Sequence, residues 1–165
     1  MLITIQPLIW QKGFCMEDKA IVEHEVDTIR GRLQIVKKPT ELEYFPDYGL
    51  VLGGREIIPF SPEKLKLIGA YPKKKPLYFV VQVLTGGSGC PAYYKVLDTS
   101  QVETILKETF ANCSDIIQVK HVENGRLMLT IGGEYWTYEN NSLTKVHLTE
   151  NDLNIIKLRK RIGLD

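Results

Sequence analysis

From residue 116 the chain reads Ile116-Ile117-Gln118-Val119-Lys120-His121-Val122, Glu123-Asn124-Gly125, Arg126-Leu127-Met128-Leu129-Thr130-Ile131, Gly132-Gly133 and Glu134-Tyr135-Trp136-Thr137-Tyr138. Three short runs rich in β-branched and aromatic residues are cut by Asn-Gly and by Gly-Gly. Asn-Gly is the strongest short-range hairpin signal, because both residues tolerate the positive φ of a tight primed turn. Glu134–Tyr138 then pairs with Leu143–Val146 across Glu139-Asn140-Asn141-Ser142. This stretch sets the expectation for the whole chain: short antiparallel strands joined by tight turns.

The same grammar extends toward the N-terminus. Leu77–Leu84 is almost wholly apolar and reads as a central buried strand. Gly86-Gly87-Ser88-Gly89 turns the chain, and Ala92–Leu97 is the next strand. Leu50-Val51-Leu52 and Ile57-Ile58 flank Gly53-Gly54 as a hairpin. Residues 20–38 read as one long or two paired strands with Gly31 at the bend, and Pro39–Tyr48 as a loop. Leu2–Trp10, interrupted by Pro7, suits an edge strand.

Three segments pull toward helix. Ser61-Pro62-Glu63 resembles a helix start, with Leu65 and Ile68 on one face. In Gln101–Phe110, Ser100 and Glu103 offer a capping box, but Val102, Thr104 and Leu106 alternate as a strand, which the surrounding meander favours. Thr149 and Asp152 cap a C-terminal helix carrying Leu153, Ile156 and Ile162, with Lys157, Arg159, Lys160 and Arg161 near its negative end. The expected fold is therefore mostly β, an antiparallel meander in one or two sheets, with a C-terminal α-helix. Residues 1–165 form a single domain, with two subregions meeting near Tyr71-Pro72-Lys73-Lys74-Lys75-Pro76, an exposed loop. No repeat of fixed period is visible.

A net charge of +1 gives the whole molecule no long-range attraction to nucleic acid or to an acidic membrane. No apolar run is long enough to cross a bilayer. The start lacks a basic leader and a small-residue cleavage site. If Met1 is the native start the protein is expected in the cytoplasm; if a leader was removed, in the periplasm or outside the cell.

Chemistry-bearing motifs are weak. Gly86-Gly87-Ser88-Gly89-Cys90-Pro91 fails as a nucleophile elbow, because Cys90 stands where that motif needs glycine and a strand follows. It fails as a phosphate loop for want of a following Gly-Lys-Ser/Thr. Cys15, Cys90 and Cys113 form no CxxC, and His24, His121 and His147 are scattered, so no metal and no cofactor is expected. Cys90 is either a nucleophile, with no local group to lower its pKa, or the partner of Cys113; each of the two stands beside a turn signal. Lys73, Lys74 and Lys75 are candidates for an anion or acidic partner, against the plainer reading of a solvated loop. Tyr135, Trp136 and Tyr138 are candidates for stacking, although one face of that strand is expected in the core. Asn112-Cys113-Ser114 and Asn140-Asn141-Ser142 match the glycosylation triplet, which matters only on a eukaryotic secretory route.

Thr85-Gly86-Gly87-Ser88-Gly89-Cys90-Pro91-Ala92-Tyr93-Tyr94, then Phe110-Ala111-Asn112-Cys113-Ser114-Asp115 and Tyr135-Trp136-Thr137-Tyr138, resembles a small β domain of bacterial, often exported proteins. Its pattern is Gly-Gly-x-x-Cys-Pro, a strand, then Phe-Gly-x-Cys-Ser-Asp; Ala111 departs from the glycine. The resemblance covers the second half and implies a β fold, a cysteine pair at Cys90 and Cys113, and an oxidising compartment. It implies no activity. Three functions follow as expectations. The first is a non-enzymatic protein-binding module of the immunity or inhibitor kind, with another protein as partner. The others are a structural or accessory envelope protein, and an enzyme whose site gathers dispersed residues such as His24, Glu25, Asp27 and His121.

Overall fold

The structure is a computed structural model and describes residues 20–41, 45–101, 105–110, 113–122, 126–147 and 149. The expected edge strand at Leu2–Trp10, Cys15 and the C-terminal helix, apart from its Thr149 cap residue, lie outside the described residues. Those residues form three four-stranded antiparallel sheets, where one or two were expected. The first holds β1 (Ile21–Thr28), β2 (Gly31–Lys38), β3 (Asp47–Leu52) and β4 (Arg55–Ser61). The second holds β5 (Lys64–Tyr71), β6 (Tyr78–Leu84), β7 (Ala92–Asp98) and β8 (Ile105–Phe110). The third holds β9 (Ile117–Val122), β10 (Arg126–Ile131), β11 (Glu134–Glu139) and β12 (Ser142–Val146). Each sheet is a meander in chain order.

The second sheet is the middle layer. Phe79, Val81 and Val83 on one face of β6 pack against Leu33, Ile35 and Leu50 of the first sheet. Val80 of β6, with Tyr94 and Val96 of β7, packs the other way, against Leu127, Leu129 and Tyr138 of the third. A strand buried on both faces has no polar side to show, which is why residues 77–84 read as a continuous apolar run. Burying each such side chain contributes roughly 1.5–3 kcal/mol.

The tight turns follow from residue chemistry. Gly53 and Gly54 have φ of 55° and 82°, and Asn140 and Asn141 have 48° and 61°, as two-residue primed turns require. Gly31, at φ 101°, lets β1 fold back on β2, so of the two readings of residues 20–38 the structure shows two paired strands and not one long one.

Two expectations need correction. The helix proposed around Leu65 and Ile68 is strand β5, which pairs along its length with β6. Leu65 faces the first core cluster and Ile68 the second, so the spacing that mimicked a helical face records a strand with a bulge between two apolar layers. Pro62 lies in the turn between β4 and β5 and starts no helix. Residues 72–77 connect β5 to β6 inside the second sheet, and the chain changes sheets at residues 62–63 and between β8 and β9. The loop begun at Pro39 ends earlier than Tyr48, since β3 starts at Asp47.

Candidate functional site

Hydrogen bonds tie several turns into one surface at one end of the stack. Gly31 opens β2 with a positive φ, which projects Ile29 and Arg30 outward. Ile29 is 61% exposed at the tip. Arg30 leans across to the second sheet, where Nε donates to the Thr99 carbonyl at 3.4 Å and Nη2 to the Gln101 carbonyl. Thr99, fully buried, donates from its backbone N–H and its hydroxyl to the Leu77 carbonyl, at 2.8 and 3.0 Å. Leu77 N–H in turn donates to the Tyr71 carbonyl at 2.8 Å. The β3–β4 turn is fastened to the same edge, because Gly53 N–H donates to the Arg32 carbonyl at 2.9 Å. Three connections of the first two sheets, together with the β5–β6 loop, are thereby held against one another.

The third sheet joins through a buried acid. Asp98, 2% exposed, accepts the Tyr138 hydroxyl on Oδ2 at 2.7 Å, and the backbone N–H and hydroxyl of Ser100 on Oδ1. No cation pairs with Asp98 among the described residues; its charge is met by oriented neutral donors. Burial, and then the bond to Asp98, raise the Tyr138 phenol well above its ordinary value.

The opposite end carries the cysteines. The sulfurs of Cys90 and Cys113 lie 2.17 Å apart and their α-carbons 4.4 Å apart, a disulfide pair linking the β6–β7 loop to the crossover between β8 and β9. That crossover is also held from below. Gln82 Nε2 donates to the Tyr94 hydroxyl at 3.0 Å and to the Asp115 carbonyl at 3.1 Å, and the Tyr94 hydroxyl donates to the Ser114 carbonyl at 2.9 Å. At the same end Tyr93 donates to Glu63 at 2.7 Å; burial first, and this acceptor second, push its phenol up to about 12. Phe45 and Ile116 are exposed there.

The candidate residues separate accordingly. Lys73, Lys74 and Lys75 are exposed in the β5–β6 connection, at the Arg30 end. Of the aromatic set, Trp136 and Tyr138 pack with the core between the second and third sheets, while Tyr135 alternates to the outer face. The dispersed candidates do not gather. Glu25 and Asp27 face Arg32 at 3.2 and 3.5 Å, His24 takes the alternate position on exposed β1, and His121 is a position of β9 in another sheet. Among the described residues no three of His, Cys, Asp and Glu stand together as metal ligands, and no helix is long and apolar enough to cross a membrane. Asn140 and Asn141 form the β11–β12 turn. Reading the sequence missed Ile29, Arg30, Asp98 and Thr99. Only Arg30, one residue before a glycine bend, offered a signal.

No family model matches the chain, and no curated protein or solved structure is significantly similar to it.

Proposed function

We propose that this protein is a non-enzymatic binding module that engages a partner protein through its Arg30 end. The observation that carries the reading is the bridge from Arg30 to the Thr99 and Gln101 carbonyls, which fixes an exposed apolar tip, Ile29, on a surface assembled from several turns. Turns held before binding lose little conformational freedom when a partner docks, and that is how a small surface gains affinity. An isolated exposed isoleucine is ordinary; one at the tip of a fastened turn, beside an arginine, has the make-up of an interface anchor.

The enzymatic alternative is less well supported, since His24, Glu25, Asp27 and His121 are distributed over two sheets. The Cys90–Cys113 pair favours an oxidising compartment as the place of work, in line with the resemblance to exported domains. That also keeps an accessory envelope role in view.

The test is differential capture. The full chain, Ile29→Asp and Ile116→Asp are immobilised and exposed to extract of the source cells under cross-linking. Both isoleucines are exposed, at opposite ends, so all three chains should melt alike. The reading expects a protein lost with Ile29→Asp and kept with Ile116→Asp. Equal capture by all three chains, or loss only with Ile116→Asp, overturns it.

A further inference from the structure

We infer that the surface meeting the Arg30 end is acidic, a partner presenting clustered Asp and Glu side chains; this rests on the protein-binding reading above. Arg30 comes from the β1–β2 turn, Arg55 follows the β3–β4 turn, and Lys73, Lys74 and Lys75 come from the β5–β6 connection. The hydrogen bonds from Arg30 to Thr99, Thr99 to Leu77 and Gly53 to Arg32 bring these three connections to one edge. None of the five cations has an ion-pair partner among the described residues.

The acids of this end offset only part of that charge. Glu25 and Asp27 share Arg32, and Asp98 keeps its charge beneath the neutral donors Tyr138 and Ser100. With Asp98, Glu56 and Glu139 set three carboxylates among the described residues against the five cations. Among the described residues this end of a chain of net charge +1 thus carries more exposed cations than exposed acids. Like charges at one edge repel one another unless a counter-surface meets them, an effect that salt screens over roughly 8 Å at physiological strength. Such a patch steers an acidic partner into contact and rejects a basic one.

A protein fits this end better than a nucleic acid. Ile29 supplies an apolar anchor, and Tyr71 already has Lys73 Nζ 5.0 Å from its centroid and its own ring packed over Gly69. Single-stranded nucleic acid asks instead for aromatic rings free to stack on bases.

The experiment measures fluorescence anisotropy of a labelled poly-L-glutamate of about thirty residues against the full chain, at low and at physiological salt. The variant carries Arg55→Glu, Lys73→Glu, Lys74→Glu and Lys75→Glu. These positions are exposed, so an unchanged melting temperature is the control for folding. A poly-L-lysine of equal length and a single-stranded DNA of equal charge are the comparison probes. The inference expects poly-L-glutamate to bind the wild type, to bind the variant at least about tenfold more weakly, and to weaken with salt. DNA should bind less tightly than poly-L-glutamate, and poly-L-lysine not at all. Absent binding at low salt, binding unaffected by charge reversal, or tighter binding of DNA overturns the inference. In each of those cases, loss of capture by Ile29→Asp still decides the protein-binding reading by itself.

Discussion

The hydroxyl of Tyr138 in the third sheet donates to Oδ2 of Asp98 in the second at 2.7 Å, both side chains being almost wholly buried. Without that donor one carboxylate oxygen keeps its charge and loses its partner inside the protein. Tyr138→Phe is therefore expected to lower stability by about 1.5–3 kcal/mol, the usual range for a hydrogen bond to a charged group. In a double-mutant cycle with Asp98→Asn, measured by urea unfolding, the two changes should be non-additive by about 1 kcal/mol or more. Additive effects would show that the contact contributes nothing of its own.

The tyrosines also set an alkaline limit. Tyr138, Tyr94, Tyr71 and Tyr48 are raised above the ordinary 10.0, chiefly by burial, and Tyr93 is pushed up to about 12. A raised phenol holds its proton in the folded state after the unfolded chain has released it, so above pH 10 or so the unfolded state binds fewer protons and stability falls with pH. Stability from these groups should be intact below about pH 10 and decline from there past about pH 12. Urea midpoints across that window, for the wild type and for Tyr93→Phe with Tyr138→Phe, should show the decline and its flattening in the double variant. A midpoint that stays level from about pH 9 to 12 would contradict the raised phenols.

What the sequence disclosed and what it withheld divide along a physical line. The strands β6, β7, β9, β10, β11 and β12 and the hairpin at Gly53-Gly54 were legible because turn chemistry and apolar runs are local properties. β5 was misread because Leu65 and Ile68 serve two different cores, and only the third dimension tells a two-faced bulged strand from a helix face. The layering into three sheets was illegible for the same reason. So was the Arg30 end, assembled from Arg30, Arg55 and Lys73–Lys75 of three separate turns. Lys73, Lys74 and Lys75 were visible as a run, but nothing local announced that Thr99 would join their loop to Arg30. The Cys90–Cys113 pair, left open against a nucleophilic Cys90 and implied by the resemblance, is at bonding distance.

That pair closes a loop with a sequence separation of 23 residues. Removing such a constraint from the unfolded chain corresponds to about 3 kcal/mol in the chain-entropy picture. Cys90→Ser with Cys113→Ser should lower the melting temperature by roughly 6–12 °C, at 2–4 °C per kcal/mol for a domain of this size. Hydrogen exchange should rise in residues 113–116, where the Gln82 and Tyr94 bonds are left to hold the crossover. A dithiol reductant should reproduce both effects in the wild type and neither in the double variant. An unchanged melting temperature would show that those bonds hold the crossover by themselves.

Gly53 and Gly54 share one turn but differ in what surrounds them. Both have positive φ, so a side chain at either is strained by roughly 1–2 kcal/mol. At Gly54 an added Cβ would meet nothing within 4 Å, whereas at Gly53 it would lie 2.7 Å from the Arg30 carbonyl oxygen. That oxygen is backbone and cannot swing aside, so the β1–β2 turn itself would have to move. Gly53→Ala is thus expected to destabilise more than Gly54→Ala, by at least about 1 kcal/mol. Gly54→Asn should be the mildest of the three, since asparagine tolerates this conformation. The same displacement would pull Arg30 from the Thr99 and Gln101 carbonyls. Gly53→Ala should therefore also weaken poly-L-glutamate binding at the Arg30 end, while Gly54→Ala leaves it unchanged. Chemical unfolding and anisotropy on the same samples read both effects. Equal losses of stability for the two alanine variants would mean that the contact between the turns yields freely, and that Arg30 is held by its carbonyl acceptors alone.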